Sequence, residues 1–516
     1  MKKNIEKGIV VCMVVLLIGI HIACAFCHFT HYDDIGLIVS ILQSGDTLWD
    51  KLHYNTVIHW TYAPLQCWLV ALLVNSSYSY GVNLFLGRFP SLIFSIVNIF
   101  LVWIGTKEIC KDRKDNFLEQ IVAVFMIGAS WEMIIYGAQC EPYLIGLTGL
   151  MLLMMELYYI ISTKQMKFAR TVLLGGIVGY MQYQLFVFVF CFYITIFIIF
   201  MKDKKKLLYS ILASLCSMLI SLPVIKDFLQ SGMLDRGTNW NVGIYQQYSF
   251  NWNSYDDIKK ILYFFSFYLK NTLEWFRNMF VYKDAKWFAN VLTIGIIGLT
   301  IIGLVQTIRK KELMNIFLIC SLTMNFGLIF LGKLTYSPSR HTIIFIPIVI
   351  YYVVNGIGLL RNLGRKKFYL GSVALCYACI ALVFGIKFPE EWRLRENKIS
   401  EKVVEEWIRK DNPVFVGFYK DTFDLDMMNI SGYEKNIGGI WRKNEVMDTG
   451  DILILYSRAT AVEDEYLGFL DNFLEGKQLE LVNAVEMPSD VEVEYAHNSF
   501  ANYGNGFYKY TYQVAE

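Results

Sequence analysis

Ile9-Val10-Val11-Cys12-Met13-Val14-Val15-Leu16-Leu17-Ile18-Gly19-Ile20-His21-Ile22-Ala23-Cys24-Ala25-Phe26, with His31-Tyr32-Asp33-Asp34 close behind, decides the architecture. The apolar run is long enough to cross a bilayer. Lys2, Lys3 and Lys7 place its start in the cytoplasm, because cations accumulate on that side of a span. The run is too long for a cleaved leader and no small-residue cleavage site follows it, so it reads as a retained first helix. Asp33 and Asp34 then emerge at the outer membrane–water boundary, where two adjacent carboxylates call for a reason.

The rest of the composition agrees. Of 516 residues, 55% are hydrophobic and 18% charged, and the mean hydropathy is +0.41. Soluble proteins average near 25% charged residues. The expected class is an all-α polytopic membrane protein. The net charge of +2 comes without any basic-aromatic patch, which argues against nucleic acid as a partner. The cysteines are scattered singly through apolar runs and show no zinc-ligand spacing. Cys24 and Cys27 fall inside a span, where they read as packing residues.

Apolar runs bounded by basic clusters set the topology. Spans are expected at 8–27, 84–106, 118–136, 143–162, 171–184, 185–201, 207–225, 288–308, 313–331, 341–360 and 368–387, about eleven in all. Their alternation puts every basic loop on one side, with the N-terminus in the cytoplasm and the C-terminus outside. The split between 171–184 and 185–201, near Gln182-Tyr183-Gln184, is required because one helix through both would far exceed the hydrocarbon thickness. Two large external loops result, 28–83 and 226–287. Within them 62–74 is apolar but too short to span, and 258–281 carries Lys259, Lys260, Lys270, Glu274 and Arg277. Both read as helices at the membrane surface. From 389 the composition becomes that of a soluble domain: 414–418 and 452–456 read as buried strands, 401–409 and 463–474 as helices. The expected division is a membrane domain over 1–388 and a small extracytoplasmic α/β domain over 389–516.

The motifs after the first span come in a telling order. Asp33-Asp34 is followed by Ser44-Gly45-Asp46, then by Ala63-Pro64-Leu65-Gln66-Cys67-Trp68, then by Gly87-Arg88-Phe89-Pro90-Ser91 opening the next span. A late Ser337-Pro338-Ser339-Arg340-His341 precedes an apolar run containing Pro347. This series resembles the GT-C superfamily of membrane glycosyltransferases, above all the protein O-mannosyltransferase and lipid A aminoarabinose transferase relatives. The likeness covers 28–160 and 337–350. It implies transfer of a monosaccharide from a polyprenyl-phosphate donor to an extracytoplasmic acceptor (protein, lipid or envelope glycan), with inversion at the anomeric carbon. By resemblance Asp33 is the general base, and Asp34 stands where relatives carry a glutamate. The lysine that precedes the proline motif in the aminoarabinose transferases is replaced by Tyr62. A divalent cation accompanies some relatives, and oxygen ligands would suit Mg2+ or Mn2+; the metal question stays open.

The residues themselves support roles of this kind and also plainer ones. Such a transfer needs a carboxylate to take the acceptor proton and cations to meet the departing phosphate, all at the depth of the outer interface. Asp33 and Asp34 fit that depth, and they equally suit the N-terminus of a following helix. Glu141 is the second carboxylate site, in the short external turn before Pro142 and Tyr143; Glu132 lies deeper in the preceding span. Arg340 heads a late span, where its planar fork suits phosphate, and Arg88 heads the second; snorkelling at the interface is the alternative for each. Tyr62, His59 and Tyr143 are candidate substrate contacts, and His28, His31, His53 and His59 read as interfacial or sugar-contacting rather than metal-binding. The competing class is a carrier or flippase for a lipid-linked saccharide, which would concentrate ionisable groups or broken helices near the midplane.

Overall fold

The structure, a computed structural model, describes residues 2–27, 37–38, 41–42, 47, 63–78, 80–113, 115–230, 257–279, 286–331, 334, 336, 342–363, 375–379, 401–419, 433–436, 440–457, 474–487 and 507–515. The chain forms two compact units, one of Met1–Phe26, Asn55–Leu69 and Arg88–Phe388, the other of Cys27–Tyr54, Val70–Gly87 and Pro389–Glu516.

The helical elements are α1 (Lys2–Cys27), α2 (Pro64–Leu73), α3 (Tyr80–Ile109), α4 (Phe117–Gly128), α5 (Trp131–Gly137), α6 (Tyr143–Thr163) and α7 (Phe168–Met181). They continue with α8 (Leu185–Phe200), α9 (Lys204–Gln230), α10 (Asp257–Asn278), α11 (Lys286–Arg309), α12 (Met314–Phe330) and α13 (Ile346–Leu363), the last entered through a short 3-10 turn at Ile343–Phe345. Among the described residues six helical stretches are long and apolar enough to cross a membrane: Ile5–Phe26, Val82–Ile109, Tyr143–Thr163, Lys204–Asp227, Asn290–Arg309 and Ile343–Leu360. The pair α4 and α5, bent by 51° between Gly128 and Trp131, makes a seventh if it is one broken span. Among the described residues, length alone therefore does not confirm the expected count of about eleven. The segments 171–184, 185–201 and 313–331 appear as α7, α8 and α12, of 14, 16 and 17 residues, against the roughly 20 that a bilayer core takes. The segment 368–387 lies almost wholly outside the described residues.

Burial sorts the spans into inner and outer. The span Ile343–Leu360 is 89% buried and Tyr143–Thr163 72%, while Asn290–Arg309 is 22% buried and turns apolar side chains outward, as a lipid-facing helix does. α6 sits at the centre, against α5, α7, α8, α12 and α13. Close packing is carried by small residues. A side chain on Gly303 would run into the Tyr352 carbonyl and one on Gly356 into the Leu299 carbonyl, so α11 and α13 touch backbone to backbone. On the α7–α9 contact, Ser217 donates to the Val172 carbonyl and Ser221 to the Gly176 carbonyl, both at 2.9 Å, and from α8 the Tyr193 hydroxyl meets that of Ser217 at 2.5 Å. The break between α7 and α8 falls where length required it, with Gln182 extended and Gln182 and Gln184 both buried.

In the second unit α14 (Glu401–Asp411) leads into a six-stranded sheet: β1 (Phe415–Tyr419), β2 (Glu434–Asn436), β3 (Ile440–Arg442), β4 (Ile452–Ser457), β5 (Gln478–Met487) and β6 (Phe507–Ala515). The order is β2-β3-β1-β4-β6-β5; among the described strands the β1–β4 pair alone is parallel. A parallel pair needs a crossover. Phe415, Met447, Leu453, Leu455, Leu474, Tyr510, Tyr512 and Val514 build the core. Lys509 reaches back to Asp411 at 2.9 Å, and Trp407 stacks on Tyr456 with ring centroids 6.1 Å apart. The expected strand at 414–418 is thus present one residue later and that at 452–456 starts where expected and runs to Ser457; the expected helix at 463–474 lies almost entirely outside the described residues.

Candidate functional site

The break between α4 and α5 frees backbone groups that a continuous helix would satisfy, which a membrane interior does not forgive. Two neighbours supply partners. His21, fully buried in α1, donates its Nε2 proton to the Gly128 carbonyl at 2.9 Å. The Trp131 N–H, first of α5, donates to the Met279 carbonyl at 3.0 Å, just past the end of α10. Trp275 of α10 adds a second tie, its indole N–H donating to Glu132 Oε2 at 3.2 Å. The expected amphipathic helix at 258–281 appears as α10, Asp257–Asn278, and its C-terminal end is fastened to the broken span. Tyr268 of α10 stacks on Tyr336 at 4.6 Å and meets Phe326 of α12 edge-on at 4.7 Å.

Glu132 is buried, 6% exposed, with its Oε1 lacking a hydrogen-bond partner among the described residues; the same holds for Ser130 Oγ at the break. Both are acceptors that a water or a ligand hydroxyl would satisfy.

Past α5 the chain turns through 138–142 and enters α6 behind Pro142, whose fixed φ and missing N–H suit a helix start. Glu141 in this turn is only 2% exposed. Its carbonyl accepts from Ser91 Oγ at 3.0 Å, and Ser91 in turn accepts from Gln66 Nε2 at 3.1 Å. Cys67, next to Gln66, is fully buried as well. One helical turn before Ser91, on the same face of α3, stands Arg88, 4% exposed. A little deeper Asn98 donates to the Leu144 carbonyl at 3.0 Å and accepts from Thr148 Oγ1 at 2.6 Å, fixing α3 to α6. Tyr143, 6% exposed, packs edge-on against Tyr136 at 5.2 Å. The turn thus gathers Glu141, Ser91 and Gln66, with Arg88 on the face of α3 that Ser91 shares.

Of the residues singled out in the sequence, Glu141, Glu132, Arg88 and Tyr143 are placed and buried. Asp33, Asp34, His59, Tyr62 and Arg340 lie outside the described residues, as do His28, His31 and His53. Arg88 and Pro90 do not start their helix. α3 begins at Tyr80, so Pro90 sits inside it and removes one backbone donor there. Sequence reasoning missed His21, Ser130, Gln66 and Ser91 as participants. His21 had a legible signal, an ionisable side chain midway through an apolar run. Among the described residues no group of three or more His, Cys, Asp or Glu is arranged to hold a metal ion. No family model matches the chain, and no curated protein matches it.

Proposed function

We propose that the chain is an integral-membrane glycosyltransferase of GT-C type that moves a monosaccharide from a polyprenyl-phosphate donor to an extracytoplasmic acceptor. The observation that carries the reading is Glu141: a carboxylate kept out of water at one end of an apolar bundle, in a turn held by Ser91, one helical turn from the buried guanidinium of Arg88. Burying such groups is costly and tends to be kept where they act. The motif order around Asp33, Ser44-Gly45-Asp46 and Pro64 adds independent support.

In this reading an acceptor hydroxyl oxygen attacks the anomeric carbon as Asp33 takes its proton. The new C–O bond forms while the bond from that carbon to the phosphate oxygen breaks, and polyprenyl phosphate leaves. Attack opposite the leaving group inverts the anomeric centre. Arg340 and Arg88 meet the phosphate charge that develops. Asp34 and Glu141 serve as further acids, and Tyr62, His59 and Tyr143 contact sugar or acceptor. The N-terminus is cytoplasmic and the C-terminal unit extracytoplasmic.

A carrier for a lipid-linked saccharide is the second reading. It draws on the bend of 51° beside buried Glu132, since transporters build sites at broken helices. The two separate in one experiment: purified protein is reconstituted with polyprenyl-phosphate monosaccharides, labelled in the sugar, and envelope acceptors. Labelled acceptor and released polyprenyl phosphate are expected. Movement of the intact donor across the bilayer with no sugar released would overturn the transferase reading.

A further inference from the structure

At the opposite end of the helical unit, where the basic loops gather, the structure contains a cavity of about 630 Å3 between α3, α6, α7 and α13. That is within the usual size of small-molecule sites, roughly 300–1,000 Å3. Its polarity runs in one direction. Leu101, Met151, Met155 and Ile350 give it apolar walls; Lys111 and Arg170, both about half exposed, stand at the mouth with Tyr158 and Tyr159, and buried Thr106 and Glu156 also line it. Gly105 leaves the space open: a Cβ there would meet only Met155 Cγ, at an ordinary contact distance of 3.9 Å.

The mouth has the chemistry of a headgroup layer. Tyrosines mark that depth in membrane helices, and here cations lie on their rings, Arg170 at 4.4 Å and Lys167 at 5.5 Å from the centroid of Tyr159, and Lys111 at 6.0 Å from that of Tyr158. The two acids nearby do not cancel these cations equally. Glu156 is buried, paired with Arg170 at 2.5 Å and accepting from Thr171 at 2.9 Å, so it orients the guanidinium, while the Arg170 side chain stays 45% exposed. Glu108 pairs with Lys111 only loosely, at 3.6 Å with both side chains about half exposed. A pair of that kind adds little and gives way to a stronger anion.

We propose that this cavity is a binding site for an anionic bilayer phospholipid, one acyl chain lying between α3, α6 and α13 and the phosphate at Lys111 and Arg170. An apolar slot with a cationic, tyrosine-lined mouth matches such a lipid in both halves, and basic pockets between helices favour anionic headgroups. The inference stands apart from the glycosyltransferase reading, because none of its residues belongs to the Glu141 end.

The test is native mass spectrometry of the full-length protein released from nanodiscs of phosphatidylglycerol, phosphatidylcholine or an equal mixture. Retention of phosphatidylglycerol over phosphatidylcholine by about tenfold is expected from the parent. Gly105→Leu, which fills the slot, abolishes that retention, whereas Gly105→Ala keeps it. Lys111→Gln reduces the headgroup preference several-fold and leaves acyl-chain occupancy in place. Equal retention of the two lipids by the parent, or unchanged retention in Gly105→Leu with a parent-like elution profile, would overturn the proposal. If Gly105→Leu fails to fold, the parent's headgroup preference and the Lys111→Gln result decide.

Discussion

The two ends of the helical unit treat buried carboxylates differently. At the basic end, Glu119 is matched by Arg113 at 3.2 Å, and the same guanidinium donates to the Val354 carbonyl at 3.0 Å and to Asn355 Oδ1 at 2.7 Å, tying α4 to α13. Glu156 has Arg170 and Thr171. At the other end Glu132 has one indole N–H for one oxygen and no hydrogen-bond partner among the described residues for the other. At the basic end each carboxylate faces a guanidinium, and an ion pair of that kind stabilises a fold. Glu132 faces a neutral indole instead and keeps an acceptor for something that arrives later.

That contrast breaks or sharpens under substitution. The largest effect is expected at the basic end. Arg113→Ala strands Glu119 away from water, which typically costs about 3–5 kcal/mol. Unfolding in bicelles should record that loss, and the double change Arg113→Leu with Glu119→Leu should recover most of it. A single variant as stable as the parent would mean that the pair is not what holds α4 to α13.

Next comes Asp33→Asn, expected to reduce turnover at least about a hundredfold, the scale of a lost general base, with donor binding nearly intact. Turnover equal to the parent's would remove Asp33 from the mechanism. Arg340→Ala should weaken donor binding about ten- to a hundredfold, from a charged hydrogen bond worth roughly 1.5–3 kcal/mol. Arg340→Lys recovers part of the loss. Bare polyprenyl phosphate should suffer equally; if it binds both proteins alike, Arg340 serves the sugar or acceptor instead. The smallest effect is expected from Ser91→Ala, about 1 kcal/mol of stability for one neutral hydrogen bond to the Glu141 carbonyl. A larger fall in turnover than in stability would place the turn itself at the chemistry.

How much of this was legible depended on what kind of force shapes each element. The positions of α1, α3, α6, α9, α11 and α13 follow from apolar length alone, and the break at Gln182 from the mismatch between one long run and a bilayer. α10 was readable because its charges repeat with helical period. The bend at Ala129-Ser130 was not, since no Pro stands there; it depends on partners more than a hundred residues away, His21 and Met279, which only the folded chain brings near. In the sheet, β6 carried an overlooked signal: Tyr508, Tyr510, Tyr512 and Val514 alternate with period two, and Tyr510, Tyr512 and Val514 are core residues. Of the site, the sequence showed Glu141 and Arg88 as ionisable groups at span ends, but not that both are buried, nor that Ser91 and Gln66 hold the turn.

The most direct test of the difference between the two ends is a side-by-side measurement of sugar transfer and melting for Glu141→Gln and Glu156→Gln. The account predicts that Glu141→Gln loses most transfer while melting as the parent does. Glu156→Gln should melt earlier, by the roughly 1.5–3 kcal/mol of a charged hydrogen bond, and keep its transfer per folded molecule. If Glu141→Gln transfers sugar normally while its stability falls, the carboxylate in the turn is structural and the proposed division between the ends is wrong.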